Sequence, residues 1–185
     1  MLDTIRKEFK YKKIKSFLSK DEIDLLTNYC KIQHSVNQNN FDVTQSINQD
    51  TYLNNDATMT SLLIKKLPLM EQYTNKKLFP TYTFWRMYSY GADLTKHKDR
   101  PACEISVTVN INNDGTPWPI YMEGESVDLA PGDGVIYLGC ELEHWREQFK
   151  GDWCAQVFMH YVDQEGPYAG WKWDQRKFNG LEIVN

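Results

Sequence analysis

No stretch of this sequence stays apolar for the roughly 18 residues that a membrane-spanning helix needs. Charged residues follow Met1 where a signal peptide would carry its apolar core, so a cytoplasmic setting is expected. Cysteine is scarce: Cys30, Cys103, Cys140 and Cys154 are widely spaced and form no C-x-x-C pair. They imply neither a zinc framework nor a disulfide scaffold, and they suit a reducing compartment. Excess positive charge is missing as well. The formal net charge of −4 argues against a general nucleic-acid binder, and neither nucleic acid nor membrane is expected as a partner. The basic run from Arg6 to Lys15 reads as a solvated terminal face. Internal repeats and low-complexity linkers are absent, so the 185 residues are expected to form one domain around one core.

What the chain does have is aromatic residues, 14% of the total with six Trp and eleven Tyr, which suits a β-rich core or an aromatic-lined cleft. Residues 1–16 read as an arm or a first edge strand. Ser19-Lys20-Asp21-Glu22 has the form of a capping box. Ile23, Leu25, Leu26 and Tyr29 then recur at helical spacing and predict a helix from Lys20 to Gln33. His34, just beyond it, reads as a surface residue. The Asn/Gln-rich stretch that follows is a long loop or a short strand. A lid over a site and a plain surface connection are both open for residues 35–56. Met59, Leu62, Leu63 and Leu67 predict a second helix broken at Pro68, with another short helix from Leu69 to Lys77.

From Pro80 the texture turns to β. Tyr82, Phe84, Arg86 and Tyr88 alternate with Thr83, Trp85 and Met87 along a strand leading to a turn at Gly91. Residues 104–112 are the clearest strand, alternating and β-branched, closed by Asn113-Asp114-Gly115. Shorter strands are expected at 119–122, 126–129, 134–138 and 155–162. Helices first and strands after describe an α+β domain built on a β-sandwich.

The chemistry concentrates in three residues. His97 and Asp99 are two positions apart, so in extended chain they address one point in space. His144 follows an apolar run closed by Gly139. Two histidines and one carboxylate on a β scaffold make a facial triad suited to non-haem Fe(II), because it leaves coordination positions open. Taken singly, His97 reads as a surface histidine, Asp99 as a turn residue and His144 as a core histidine.

Together, and in this order, Tyr88, Gly91, His97, Asp99, Pro131-Gly132-Asp133 and His144 resemble the 2-oxoglutarate/Fe(II)-dependent dioxygenases, most of all their prolyl 4-hydroxylase-like branch. The resemblance covers roughly Phe17 to Val162. It implies a double-stranded β-helix, the cupin-like jelly roll, over about 80–163. A helical part over about 17–78 would precede it and a C-terminal extension, 164–185, would follow. It also implies Fe(II) on His97, Asp99 and His144, 2-oxoglutarate as cosubstrate, O2, and ascorbate as a candidate reductant. The expected reaction couples decarboxylation of 2-oxoglutarate to succinate with oxidation of a substrate C–H bond. Retention of Asp99 favours hydroxylation, since related halogenases lose that carboxylate. The substrate would be a peptide, with a prolyl residue the leading guess, or a small molecule such as a free amino acid. A non-catalytic cupin-like metal-binding module is the rival from another class.

One departure stands out. This branch usually places Arg or Lys about ten residues after the distal histidine to bind the far carboxylate of 2-oxoglutarate, and here Cys154 and Gln156 occupy that region. Arg146 would share the face of His144, which makes it the expected cation, with Arg100 and Lys150 as rivals. Tyr88 and Gln156 are expected to add hydrogen bonds to the cosubstrate. His160 reads as a core histidine bonded to a neighbour. Trp118 and Trp145 are the tryptophans expected nearest the pocket, and Trp171-Lys172-Trp173 is expected to fold back over the sandwich.

Overall fold

The computed structural model describes residues 10–36 and 50–176. Helix α1 (Lys20–Val36) starts at the expected capping box: the Ser19 N–H donates to Glu22 Oε2 at 2.8 Å and the Glu22 N–H donates to Ser19 Oγ at 3.2 Å. Helix α2 (Ala57–Thr74) is capped by Asp56, whose carboxylate accepts from the N–H groups of Thr58 and Met59. The break expected at Pro68 does not occur. Leu62, Leu63 and Met70 are buried on either side of it and pack on one core. That burial outweighs the roughly 3 kcal/mol that an interior proline costs. The Tyr161 hydroxyl also donates to Leu63 O at 2.9 Å, one turn before the proline.

Among the described residues the strands are β1 (Tyr11–Ile14), β2 (Thr51–Asn54), β3 (Leu78–Ser89), β4 (Leu94–His97) and β5 (Ile105–Asn113). They continue with β6 (Ile120–Met122), β7 (Glu125–Val127), β8 (Gly134–Tyr137), β9 (His144–Arg146) and β10 (Trp153–Asp163). All pairings are antiparallel: a six-stranded sheet in the order β1-β8-β5-β10-β3-β2 and a four-stranded sheet in the order β4-β9-β6-β7. Two antiparallel sheets with few helices are consistent with a jelly roll. The β6–β7 hairpin turns through Glu123 and Gly124, both at positive φ, as a two-residue loop with this twist requires.

The large sheet has two unlike faces. Ile105, Val107, Val109 and Ile111 of β5, with Trp85, Met87, Val157, Met159 and Tyr161, join the helices in the main apolar core. The other set of alternate residues includes Ser106, Thr108 and Asn110 of β5, Arg86 of β3, and Gln156 and His160 of β10. All of these polar groups are buried. In an ordinary sandwich strand the polar face meets water. Here it lines the interior, which is where the site lies.

Of the stretch read as an arm or an edge strand, residues 1–9 lie outside the described residues, and Tyr11–Ile14 forms β1, paired with β8 at the edge of the large sheet. Of the stretch read as lid or connection, residues 37–49 lie outside the described residues, while Thr51–Asn54 is a strand paired with β3. After β10 the chain folds back as expected: Trp173 packs on the main core and Asp174 takes two hydrogen bonds from Arg100.

Glu22 ties α1 to α2 through ion pairs to Lys65 and Lys66, and the buried Lys66 also donates to Phe17 O. Burial would raise the Glu22 carboxyl, but bonds from Lys66, the Ser19 N–H and Lys65 overcome it and hold the group at about 2, against an ordinary value near 4.5. A folded value below the unfolded one gives stability that is complete above pH 4.5 and lost as pH falls toward 2. Glu22→Gln is therefore expected to cost about 2 kcal/mol at pH 7 and clearly less at pH 3. Urea denaturation at both pH values checks this, and an equal cost at both would refute the assignment.

Candidate metal centre and its cavity

His97 closes β4 directly opposite His144 at the start of β9, and the two rings lie 4.3 Å apart. Asp99 follows two residues on, anchored by its N–H to Gly139 O at 2.9 Å. Its Oδ1 stands 3.5 Å from His97 Nε2 and 3.6 Å from His144 Nε2. Each imidazole has its other nitrogen against a backbone carbonyl, Nδ1 of His97 at 2.7 Å from Thr95 O and Nδ1 of His144 at 3.0 Å from Leu142 O. A carbonyl only accepts, so Nδ1 carries the proton and the Nε2 lone pair faces the carboxylate. Three acceptors thus converge with no donor among them, and a proton or a cation must lie between. The donor set fits Fe(II): two neutral imidazoles and a carboxylate, oriented by outer hydrogen bonds.

The electrostatics agree. Contact with Asp99 raises His97 against the opposing effect of burial. Burial lowers His144 and keeps it neutral. Burial also works against ionised Asp99, yet the His97 bond and the neighbouring histidines bring it below its usual range. Asp99 Oδ2 is buried without a hydrogen-bond partner in the structure. Gly139 makes room for it, since a Cβ at that position would collide with Asp99 Oδ2 and Cys103 O.

The three groups open into a cavity of about 340 Å³. Tyr137 forms part of its floor, edge-on to His144 with ring centroids 4.8 Å apart. Tyr88, Phe84 and Phe158 rise from the large sheet, with Tyr52 and Asn54 from the neighbouring β2. His160 also lines the cavity, stacked on Tyr82 and bonded through Nδ1 to Ser106 Oγ at 2.8 Å. A second convergence, of Asp99, Cys103 and His160, is taken up by hydrogen bonds, because Cys103 Sγ lies 3.1 Å from the Tyr82 hydroxyl.

Tyr88 is buried at the cavity wall, and burial pushes its phenol up to about 12, past the lowering by Arg86 and Arg146. It stays a proton donor. Arg146 faces inward on β9, as its parity with His144 requires, and is 2% exposed. It donates to Trp118 O and, at 3.3 Å, to Gln156 Oε1, while its Nε has no partner. No carboxylate pairs with it among the described residues. Arg100 is committed elsewhere, to Asp174 at 2.6 and 2.9 Å. Lys150 is exposed and bonded to Gln148. The tryptophans depart from expectation: Trp145 faces away, stacked on Tyr121, because it alternates with His144 and Arg146. Trp118 packs against Tyr88 and Phe149 behind the wall. Gly139, Tyr137, Tyr52 and Asn54 were not singled out as site residues by the sequence. Only Gly139 carried a signal, as a glycine ending an apolar run just before the distal histidine.

By sequence, no family model and no curated protein matches the chain. By structure, a prolyl 4-hydroxylase from Pseudomonas putida superposes with a TM-score of 0.63 at 18% identity, over 85% of this chain and 94% of that one. A viral collagen prolyl hydroxylase from Paramecium Bursaria Chlorella virus-1, solved with 2-oxoglutarate, gives 0.62 at 15% identity over 84% and 97%. A non-heme α-ketoglutarate-dependent epimerase of nogalamycin biosynthesis gives 0.72 at 12% identity over 88% and 81%. The fold is therefore that of the 2-oxoglutarate/Fe(II) oxygenases, prolyl 4-hydroxylases among them, and the resemblance read in the sequence holds at the level of structure.

Gly139→Ala tests how closely the carboxylate is seated. The added methyl is expected to displace Asp99 and weaken Fe(II) or Co(II) binding by about 10-fold or more, with the far-UV circular dichroism unchanged. Unaltered metal affinity in a folded variant would show that Asp99 is not a ligand.

Proposed function

We propose that the chain is a single-domain Fe(II)- and 2-oxoglutarate-dependent dioxygenase, with hydroxylation its simplest outcome. The observation that carries this reading is the convergence of His97, Asp99 and His144 as acceptors at the inner end of a cavity, in a fold shared with such oxygenases. Bound there, Fe(II) with 2-oxoglutarate and O2 supplies the oxidising power for a substrate C–H bond as 2-oxoglutarate decarboxylates to succinate. The protein holds the donor geometry: Thr95 O and Leu142 O fix both imidazoles, and Gly139 admits the Asp99 carboxylate.

Arg146 is the residue proposed to receive the C5 carboxylate of 2-oxoglutarate. Burying a guanidinium without an anionic partner costs several kcal/mol, and a carboxylate arriving beside it would recover that cost through charge-assisted bonds. Gln156, already in contact, would hold the guanidinium plane, and the protonated Tyr88 hydroxyl would add a donor. Ascorbate would serve to keep the iron ferrous. Two of the similar structures are prolyl hydroxylases, which keeps a prolyl peptide in view as substrate. The walls of this cavity favour a small molecule.

Anaerobic titration of Fe(II) and 2-oxoglutarate is expected to produce a visible charge-transfer band that needs both additions and is lost in His97→Ala. Iron binding without the band would move the reading to a cupin that uses no cosubstrate. Arg146→Met is expected to weaken 2-oxoglutarate about 100-fold, leave iron affinity alone, and cost under about 1 kcal/mol of stability, because it removes an unpaired buried charge. Unchanged 2-oxoglutarate affinity would sink the role of Arg146.

A further inference from the structure

The large sheet turns an aromatic wall toward the metal ligands. Tyr52 of β2, Phe84 of β3 and Phe158 of β10 form a row, with ring centroids 5.7 Å apart from Tyr52 to Phe84 and 5.7 Å from Phe84 to Phe158. Tyr82, stacked on His160 at 4.4 Å, extends it toward Asp99. His97 and His144 come from the small sheet on the other side of the cavity.

Charge is what this wall lacks. Outside the three proposed ligands, the described residues lining the cavity include no Asp, Glu, Lys or Arg, and His160 is bonded to Ser106. Arg100 lies over the Tyr82 ring at 4.5 Å, but its guanidinium is already neutralised by both oxygens of Asp174. Free polar groups are few: the Tyr82 hydroxyl is bonded to Cys103 Sγ, which leaves the Asn54 carboxamide and the Tyr52 hydroxyl on this side.

Resting on the oxygenase reading, we propose that the substrate part admitted here is an uncharged, planar aromatic or conjugated ring carried by a small molecule. A free amino acid would bring an ammonium and a second carboxylate with no counter-charge to meet them among the described lining residues outside the proposed ligands. A peptide would bring main-chain amides on both sides of its reacting residue, which are costly to bury if left unpaired. A flat neutral ring meets offset or edge-on contacts along the row. The cavity, about 340 Å³, is at the small end of ligand sites and suits one such ring system beside the cosubstrate.

The test compares three probes by calorimetry on the full chain, both metal-free and loaded with redox-silent Mn(II) and 2-oxoglutarate. The probes are 2-naphthol, 2-naphthylalanine, which carries the same ring on a zwitterion, and an acetylated polyproline nonapeptide. Expected is 2-naphthol binding at least 10-fold tighter than either rival. Tyr52→Ala and Phe84→Ala, both at half-buried positions, are each expected to weaken it at least 5-fold with Mn(II) and 2-oxoglutarate affinity unchanged. Tighter binding of the zwitterion or the peptide, or naphthol binding indifferent to both substitutions, overturns the inference. Mn(II) and 2-oxoglutarate are titrated separately, so their failure to bind would refute the oxygenase reading. The naphthol comparison on metal-free protein would still decide the character of the wall.

Discussion

Three acceptor groups with no donor between them are held face to face by the backbone. Left alone, the Nε2 lone pairs of His97 and His144 would turn from the Asp99 carboxylate. They are kept in place because Thr95 O and Leu142 O hold the opposite nitrogens, and because β4 and β9 set the two histidines in register. The sheet pairing thus holds together groups that repel unless a proton or a cation lies between them. Much else follows from keeping those groups in place: the anchoring of the Asp99 N–H to Gly139 O, the bare Cα of Gly139, and the burial that leaves Asp99 Oδ2 without a partner.

The same logic explains the large sheet. Burying Ser106, Thr108, Asn110, Gln156 and His160 would be costly in a plain sandwich. Here they bond one another and their neighbours: Ser106 to His160, Thr108 to the Tyr137 hydroxyl at 3.3 Å, and Asn110 to Leu129 O at 2.8 Å. The apolar burial that offsets them is on the opposite face, where both helices cover the sheet. One sheet therefore separates two surfaces, an apolar core on the helix side and a polar cavity on the other.

Much of this was legible because alternation in a strand carries facing information. The run from Ile105 to Ile111 shows the strand and its two faces, and the parity of Tyr82 to Tyr88 places Tyr82, Phe84 and Tyr88 together at the cavity. Parity also argued for Arg146 pointing inward, and it should have removed Trp145, which stands between two inward residues. The capping box at Ser19 was readable since its two hydrogen bonds are local. Pro68 was misread for the opposite reason. Propensity is a local quantity, whereas what carries α2 through the proline is burial on a sheet built from residues 78–163. Nothing local marked the polar face of β5 as an interior one, because in a strand a polar interior and a solvent face read alike.

In the role proposed above, Arg146 would do from β9 what a cation on β10 does in the prolyl 4-hydroxylase-like enzymes that the sequence resembles. Two residues after His144, it projects from β9, whereas the usual cation of this branch would stand near Cys154 on β10. Those strands belong to different sheets, yet Arg146 Nη2 reaches Gln156 Oε1 at 3.3 Å, so both side chains converge on one spot from opposite walls. A cation at residue 154 would then lie close to the guanidinium and be repelled by it. The small, neutral Cys154 and the accepting Gln156 are what an arginine from the facing sheet needs around it. The missing cation near residue 154 and an arginine with no carboxylate partner among the described residues are, on this argument, one arrangement seen from two sides.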